Sequence, residues 1–227
     1  MSSVDGRLLP SRWSLPFDGT PAGELFRKYA AIGSSLSTNA WMFGKSTTCE
    51  FFPDKFISQS SCHPEVGKVY IGNRTSPRLF ITIDPDADIL FTADKLRGDN
   101  IITVIGTNAT VDYLAMLEDR NISYIVVHDA TDLHEIMHAL FKQFGVKRIS
   151  LQGGGIINGA MLAAGLIDEL SLVIYPGIDG LTTSPSIFEY LGASDENPAT
   201  GQSLELKSFD KLEHGIIWLR YRFHHKL

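Results

Sequence analysis

Apolar residues recur along this chain in two rhythms, and the alternation between them is its main organising signal. Short, mainly apolar runs occupy residues 40–43, 79–83, 101–105, 122–127 and 170–175, most of them rich in β-branched side chains, and residues 147–151 read as a further strand. Runs of that length bounded by Gly, Pro, Asn or Asp predict strands buried on both faces. Between them the spacing changes to that of a helix. Val111, Leu114, Ala115 and Leu117 predict a helix over 111–120, and Leu133, Ile136, Met137, Leu140, Phe141 and Phe144 one over 131–144, ended by Gly145. A further helix is predicted over 156–164, closed by Gly165. Near the start, Thr20 as N-cap and Pro21 at the first helical position open a helix through Leu25, Phe26 and Tyr29. Ser46 opens a short helix through Phe52. Residues 89–91 form a weaker strand signal, while 1–19 and 53–77 read as loop. Two alternating runs, 203–212 and 215–223, flank a tight turn near Glu213-His214 and predict an antiparallel hairpin. Strands alternating with helices imply an α/β domain with a mainly parallel sheet covered on both faces. No repeat or linker interrupts residues 1–227, so a single domain is expected.

Composition narrows the partners. With 44% hydrophobic and 20% charged residues the chain can bury a substantial core. A net charge of −6 disfavours nucleic acid and anionic membranes, which need clustered Lys and Arg. No apolar run reaches the roughly 20 residues of a membrane span, and the N-terminus lacks a signal peptide's pattern. Cys49 and Cys62 form no CxxC and read as free thiols, so a cytoplasmic, reducing compartment is expected.

Candidate chemistry sits where strands meet helices. Gly153-Gly154-Gly155-Ile156-Ile157-Asn158 follows a strand and opens a helix. Glycines there let a backbone approach a pyrophosphate, and the first helical N–H groups supply donors. The bland reading is a strand-to-helix turn that needs positive φ. Gly44-Lys45-Ser46-Thr47 repeats the context, with the Lys45 charge and two hydroxyls. Two such loops in one sheet suit a ligand with separated phosphates, such as NADPH. His134-Glu135-Ile136-Met137-His138 matches the zinc-protease motif in letters, but the apolar stripe of its helix turns both histidines to solvent, so no metal is expected. His214, His224, His225 and the Cys62-His63 pair show no ligand spacing.

Ser3-Val4-Asp5-Gly6-Arg7, Trp41 to Thr47, Ile81-Thr82-Ile83-Asp84 and the run from Leu151 to Glu169 resemble, in order and spacing, the riboflavin-biosynthesis pyrimidine reductase family. This is the reductase domain (RibD C-terminal) partnered with a deaminase in many bacteria, and it shares its fold with dihydrofolate reductase. The resemblance implies a three-layer α/β/α sandwich, NADPH as hydride donor and a homodimer. It implies cofactor contacts from Gly44, Lys45, Ser46 and Thr47, from Ile83 and Asp84 near the adenosine, and from Gly153, Gly154, Gly155, Ile156 and Asn158. Ser3, Ser11 and Trp13 would border nicotinamide and substrate, and Asp5 would orient substrate or relay a proton. The implied activity is that of 5-amino-6-(5-phosphoribosylamino)uracil reductase, hydride delivery to C1′ of a ribosylamino-pyrimidine. Two positions depart from the pattern. The family's Glu before the glycine loop, which holds substrate, is Gln152 here. Its substrate-phosphate arginine has no match, with Arg27, Arg74 and Arg78 as stand-ins. These departures motivate one alternative, a reductase of the same fold acting on another imine or carbonyl; a non-catalytic nucleotide-binding protein is a further alternative.

Overall fold

Each strongly periodic segment forms the element its pattern predicts, within a residue or two at either end. The structure, a computed structural model, describes residues 1–225. In chain order the elements are α1 (Ala22–Ser35), β1 (Ala40–Phe43), α2 (Lys45–Cys49), β2 (Val69–Tyr70), β3 (Leu79–Asp84), β4 (Lys95–Leu96) and β5 (Asp99–Ile105). They continue as α3 (Val111–Asp119), β6 (Ser123–Val126), α4 (Leu133–Phe144), β7 (Ile149–Gly153), α5 (Gly155–Ala163), β8 (Glu169–Ile174), β9 (Gln202–Lys211) and β10 (Ile217–His225). Contacts divide the chain into two compact units, one of residues 38–153 and one of residues 1–37 with 154–227.

The unit of residues 38–153 is built on one sheet in the order β2-β6-β5-β3-β1-β7, with β4 on β5. The five strands β6, β5, β3, β1 and β7 run parallel, and only the two-residue strands β2 and β4 are antiparallel. Every residue of β3, β5 and β6 is buried, which is why those segments read as unbroken apolar runs rather than as alternation. Phe80, Ile89, Phe91, Ile101, Tyr113, Leu117 and Tyr124 form the core on one side. Helix α4 starts at Asp132, whose carboxylate accepts the N–H groups of His134 and Glu135, and ends at Gly145 with φ 68°. Its buried stripe is Leu133, Ile136, Leu140 and Phe144; Phe141 is 55% exposed, so the stripe is narrower than the spacing predicts.

The other unit holds a separate antiparallel sheet in the order β8-β10-β9. The predicted hairpin is β9–β10, turning through Glu213–Gly215. Strand β8, whose apolar run reads like a further parallel strand, pairs instead with β10. Ser2 extends that sheet by a bridge to Ile174: its N–H donates to Val173 O at 2.9 Å, and its carbonyl accepts from Tyr175 at 2.8 Å. Trp13, Leu25, Val173, Tyr175 and Ile216 form the core of this unit.

Three local expectations change. Thr20 does not cap α1; the N-cap is Pro21, and the Thr20 hydroxyl is engaged with Asp18 and His214. Residues 89–91 form no strand beyond a bridge from Ile89 to Lys55, because the Ile89 N–H is taken by the Asp84 carboxylate at 3.0 Å. The loop of residues 53–77 contains β2, too short to show a period.

Candidate functional site

From β1 the chain lays down β3, β5 and β6 in one direction, then returns to the opposite side of β1 for β7. The strand order therefore reverses between β1 and β7, and the crevice outside the carboxyl ends of such strands is where open parallel sheets take ligands. Both sequence-predicted glycine loops begin there. The Gly44 N–H donates to the carbonyl of Gly153 at 3.1 Å, beside a register shift between Met42 and Phe43. Gly153 has φ 92°, a conformation that side chains disfavour. The turn therefore accounts for this glycine by itself. Helix α2 has five residues, too few to build an appreciable dipole, so the helix-terminus argument for Gly44–Thr47 falls away. Ser46 is exposed, and it is Thr48, not a predicted residue, whose hydroxyl ties β1 to β3 through Gly44 O and Thr82 Oγ1.

Lys45, expected to offer a free charge to phosphate, is held by three carboxylates. Its ammonium lies 3.0 Å from Asp84, 2.5 Å from Asp86 and in direct contact with Asp88. Burial opposes the charge, but hydrogen bonds to Asp86, Asp88 and Asp84 outweigh it and raise the lysine above its ordinary value. Asp84 itself is fully buried. One oxygen accepts the N–H groups of Asp88 and Ile89 and the Tyr113 hydroxyl, at 2.9, 3.0 and 2.8 Å. It anchors the turn after β3 as well as facing Lys45. Ile83, predicted beside the adenosine, is a buried strand residue. At the same edge, an open cavity of about 210 Å³ is lined by Pro85, Gly106, Thr107, Asn108, His128 and Asp129 among others.

Gly154 and Gly155 belong to the other unit, where Gly154 caps α5. A Cβ on Gly155 would stand 2.4 Å from Ser186 O and 2.8 Å from a Glu189 carboxylate oxygen. The Glu189 N–H donates to Gly155 O at 2.9 Å, and Asn158 Nδ2 donates to Ile187 O at 2.8 Å. Gly155 and Asn158 thus seat the segment 186–189 on α5, and Ile156 is 46% exposed.

Residues predicted on the substrate side are largely engaged within this unit. The Ser3 hydroxyl donates to Asp5 at 2.6 Å and accepts from Arg7 N–H. Asp5 also accepts the N–H groups of Asp179 and Gly180, at 3.1 and 2.8 Å. The Ser3 hydroxyl and those amides lower its carboxyl to about 2, so at neutral pH it is an anion with no proton to give. The same hydrogen bonds pin the Asp179-Gly180 turn. Trp13 is buried against Tyr175, with ring centroids 5.0 Å apart, and Ser11 is exposed.

Comparison with known proteins now decides the family. The RibD C-terminal domain model matches residues 44–218. The chain belongs to the RibD C-terminal domain family. Two curated relatives are each 30% identical over 125 residues, one from Methanothermobacter thermautotrophicus and one from Kluyveromyces lactis. Both are named 2,5-diamino-6-ribosylamino-4(3H)-pyrimidinone 5′-phosphate reductase. The alignments cover 54% and 49% of this chain and 56% and 48% of those proteins, so the chain spans about half the length of the curated relatives it matches. A pyrimidine reductase-like protein from Corynebacterium diphtheriae shares the fold at a TM-score of 0.65 with 16% identity, covering 99% of this chain and 90% of that one. The fold is the dihydrofolate-reductase-like α/β fold expected from the sequence.

The residues singled out as departures from the family pattern have partners within the fold. Gln152 donates to Ser150 Oγ at 2.6 Å at the end of β7. Arg78 pairs with Asp99 at 3.0 Å and lies over the Trp41 ring, while Arg74 donates to Phe144 O. Arg78 and Asp99 stand at the amino ends of β3 and β5, the wrong end of the sheet for a group acting at Gly44; Arg27 is exposed on α1. The guanidinium the sequence reading passed over is Arg7, which donates to Ser184 O at 2.7 Å while its Nε is buried without a hydrogen-bond partner. Its Asp-Gly-Arg context was the available signal. His134 and His138 are both exposed on α4, and Glu135 accepts the N–H groups of His128 and Asp129.

Proposed function

We propose that this chain is an oxidoreductase that delivers hydride from a reduced nicotinamide nucleotide to a ribosylamino-pyrimidine 5′-phosphate. The observation that carries the reading is the junction of Gly44 and Gly153 at the strand-order reversal, inside the segment matched by the RibD C-terminal domain. A dinucleotide laid across the carboxyl ends of β1, β3 and β7 meets backbone rather than side chains there. The reduction adds hydride to C1′ of the ring-opened, imine-like sugar and a proton to its nitrogen. Such a step is served by orientation and exclusion of water, with no nucleophile required. With Asp5 ionised, the proton is best supplied by solvent or by the substrate's own groups. The names of the curated relatives favour the diaminopyrimidinone over the uracil as the ring carried. NADPH is the donor the family resemblance implies. A homodimer forms part of the proposal, supported by β9, on which Leu204, Leu206 and Phe209 are each at least 50% exposed.

The test is turnover of purified protein with NADPH and with NADH, on the diaminopyrimidinone and the uracil ribosylamino phosphates in parallel with a panel of pterins and imines. Oxidation of the nucleotide with either ribosylamino phosphate supports the reading. Turnover confined to the panel favours a different imine or carbonyl substrate, and saturable binding without turnover favours a nucleotide-binding protein.

A further inference from the structure

The net charge of −6 conceals a division within the unit of residues 38–153. At the amino ends of its parallel strands lie Arg74, Arg97, Arg120, Lys142, Lys147 and Arg148, all exposed. None of these six is ion-paired among the described residues. Of the carboxylates at that end, Asp119 is exposed, Asp94 and Glu118 are half-buried, and Asp99 is held by Arg78. Phe141, 55% exposed in the last turns of α4, stands beside Lys142 at this basic end. Arg74 reaches the same helix terminus, donating to Phe144 O at 3.2 Å. The carboxyl ends carry the opposite sign. Their exposed acids are Glu50, Asp54, Glu65, Asp86, Asp129 and Asp132, while the exposed cations Lys55 and Lys68 are paired with Asp88 and Glu118.

A second observation, at the acidic end, matches the exposed ring. A cavity of about 460 Å³ opens between residues 63–68 and the start of α3, lined by His63, Glu65, Val66, Lys68 and Val111 among others. Its walls are fixed by main-chain groups. Gly67 N–H donates to Val126 O at 2.8 Å, Val111 N–H to Cys62 O at 2.9 Å, and His63 Nδ1–H to Ala109 O at 2.8 Å. Val66 and Val111 are 51% and 42% exposed, so an apolar wall faces outward. The volume admits an aromatic ring, and Glu65 in the same wall offers a carboxylate to a cation that accompanies it.

We infer that Phe141 of one molecule seats in this cavity of a second copy, with Lys142, Lys147 and Arg148 meeting the carboxylates of the acidic end. An aromatic anchor entering a pocket, with opposite charges around it, is the composition of an interface centre. Knob and hole lie at opposite ends of one sheet, so the contact is head-to-tail and can repeat from molecule to molecule. It is separate from the strand β9, and it does not depend on the reductase reading.

The experiment is sedimentation velocity of the full chain from about 1 to about 100 μM, at about 0.05 M and about 0.5 M salt. The mean mass is expected to rise with concentration at low salt and to rise less at high salt, where charge attraction is screened. Phe141→Ser removes the knob and Val66→Glu closes the hole; each is expected to weaken the association about tenfold or more. Mixing the two variants restores one intact knob and one intact hole, so the mixture is expected to exceed the mass of either variant alone. Both side chains are more than half exposed, and a circular-dichroism melt checks that the variants fold. A mass independent of concentration, an association unmoved by either variant, or no gain on mixing overturns the inference. An association insensitive to salt and to both variants is what the apolar strand β9 would give. Each of these results leaves the reductase reading standing, because that is read from turnover.

Discussion

Gly159 in α5 sets two physical effects in direct opposition. In a helix interior, Gly→Ala is favoured by about 1 kcal/mol through backbone entropy. At this position, however, a Cβ would stand 2.0 Å from Glu189 O, 2.4 Å from its carbonyl carbon and 2.9 Å from Tyr190 N. These are backbone atoms, so no side-chain rotation relieves the clash. Restoring ordinary contact requires the Glu189–Tyr190 backbone to retreat by more than 1 Å, since Cβ contacts normally begin near 3.4 Å. That movement strains the hydrogen bond from Glu189 N–H to Gly155 O and the one from Asn158 Nδ2 to Ile187 O. Each is worth about 1 kcal/mol net, and overpacking adds about 1–3 kcal/mol. The expected outcome for Gly159→Ala is a net loss of about 2–4 kcal/mol. Urea unfolding followed by circular dichroism and tryptophan fluorescence measures it as a lower midpoint at unchanged slope. A variant as stable as wild type, or more stable, would show that helix propensity decides this site and that the 186–190 segment does not pack on α5.

Tyr113→Phe is expected to cost about 1.5–3 kcal/mol, because the buried Asp84 carboxylate loses its hydroxyl donor; a urea midpoint within error of wild type would contradict this. Asp5 makes a pH prediction. Its carboxyl is lowered from 3.8 to about 2 by the Ser3 hydroxyl and the Gly180 and Asp179 amides, so its stabilisation is present above the unfolded value of 3.8. It is lost as pH falls through about 2. The stability difference between wild type and Asp5→Ala should be constant at neutral pH and shrink across that acid window in thermal melts. A difference independent of pH would refute the hydrogen-bonded anion.

How much of this was legible in the sequence follows from the range of the interactions. Hydrophobic period is local, so β3, β5, α3 and α4 could be read from Leu79–Asp84, Asp99–Ile105, Val111–Asp119 and Leu133–Phe144. The two glycine loops could be read as well, because strand, glycine and helix follow one another along the chain. What a single window cannot hold is the partner of a group. Lys45 looked like a free cation because Asp84, Asp86 and Asp88 lie about 40 residues away and reach it only once β3 pairs with β1. Gly155 looked like a cofactor glycine because the 186–190 backbone that needs its missing Cβ, and that of Gly159, comes from another part of the unit. Strand β8 has the apolar run of a parallel strand; its pairing with β10 follows from the register of Ile217–His225 against it, not from its own residues. The sequence by itself determined the longer helices and buried strands, the parallel sheet and the family. Tertiary structure alone decided which charges are already neutralised and which glycines are spoken for, because those depend on what the chain brings back to each site.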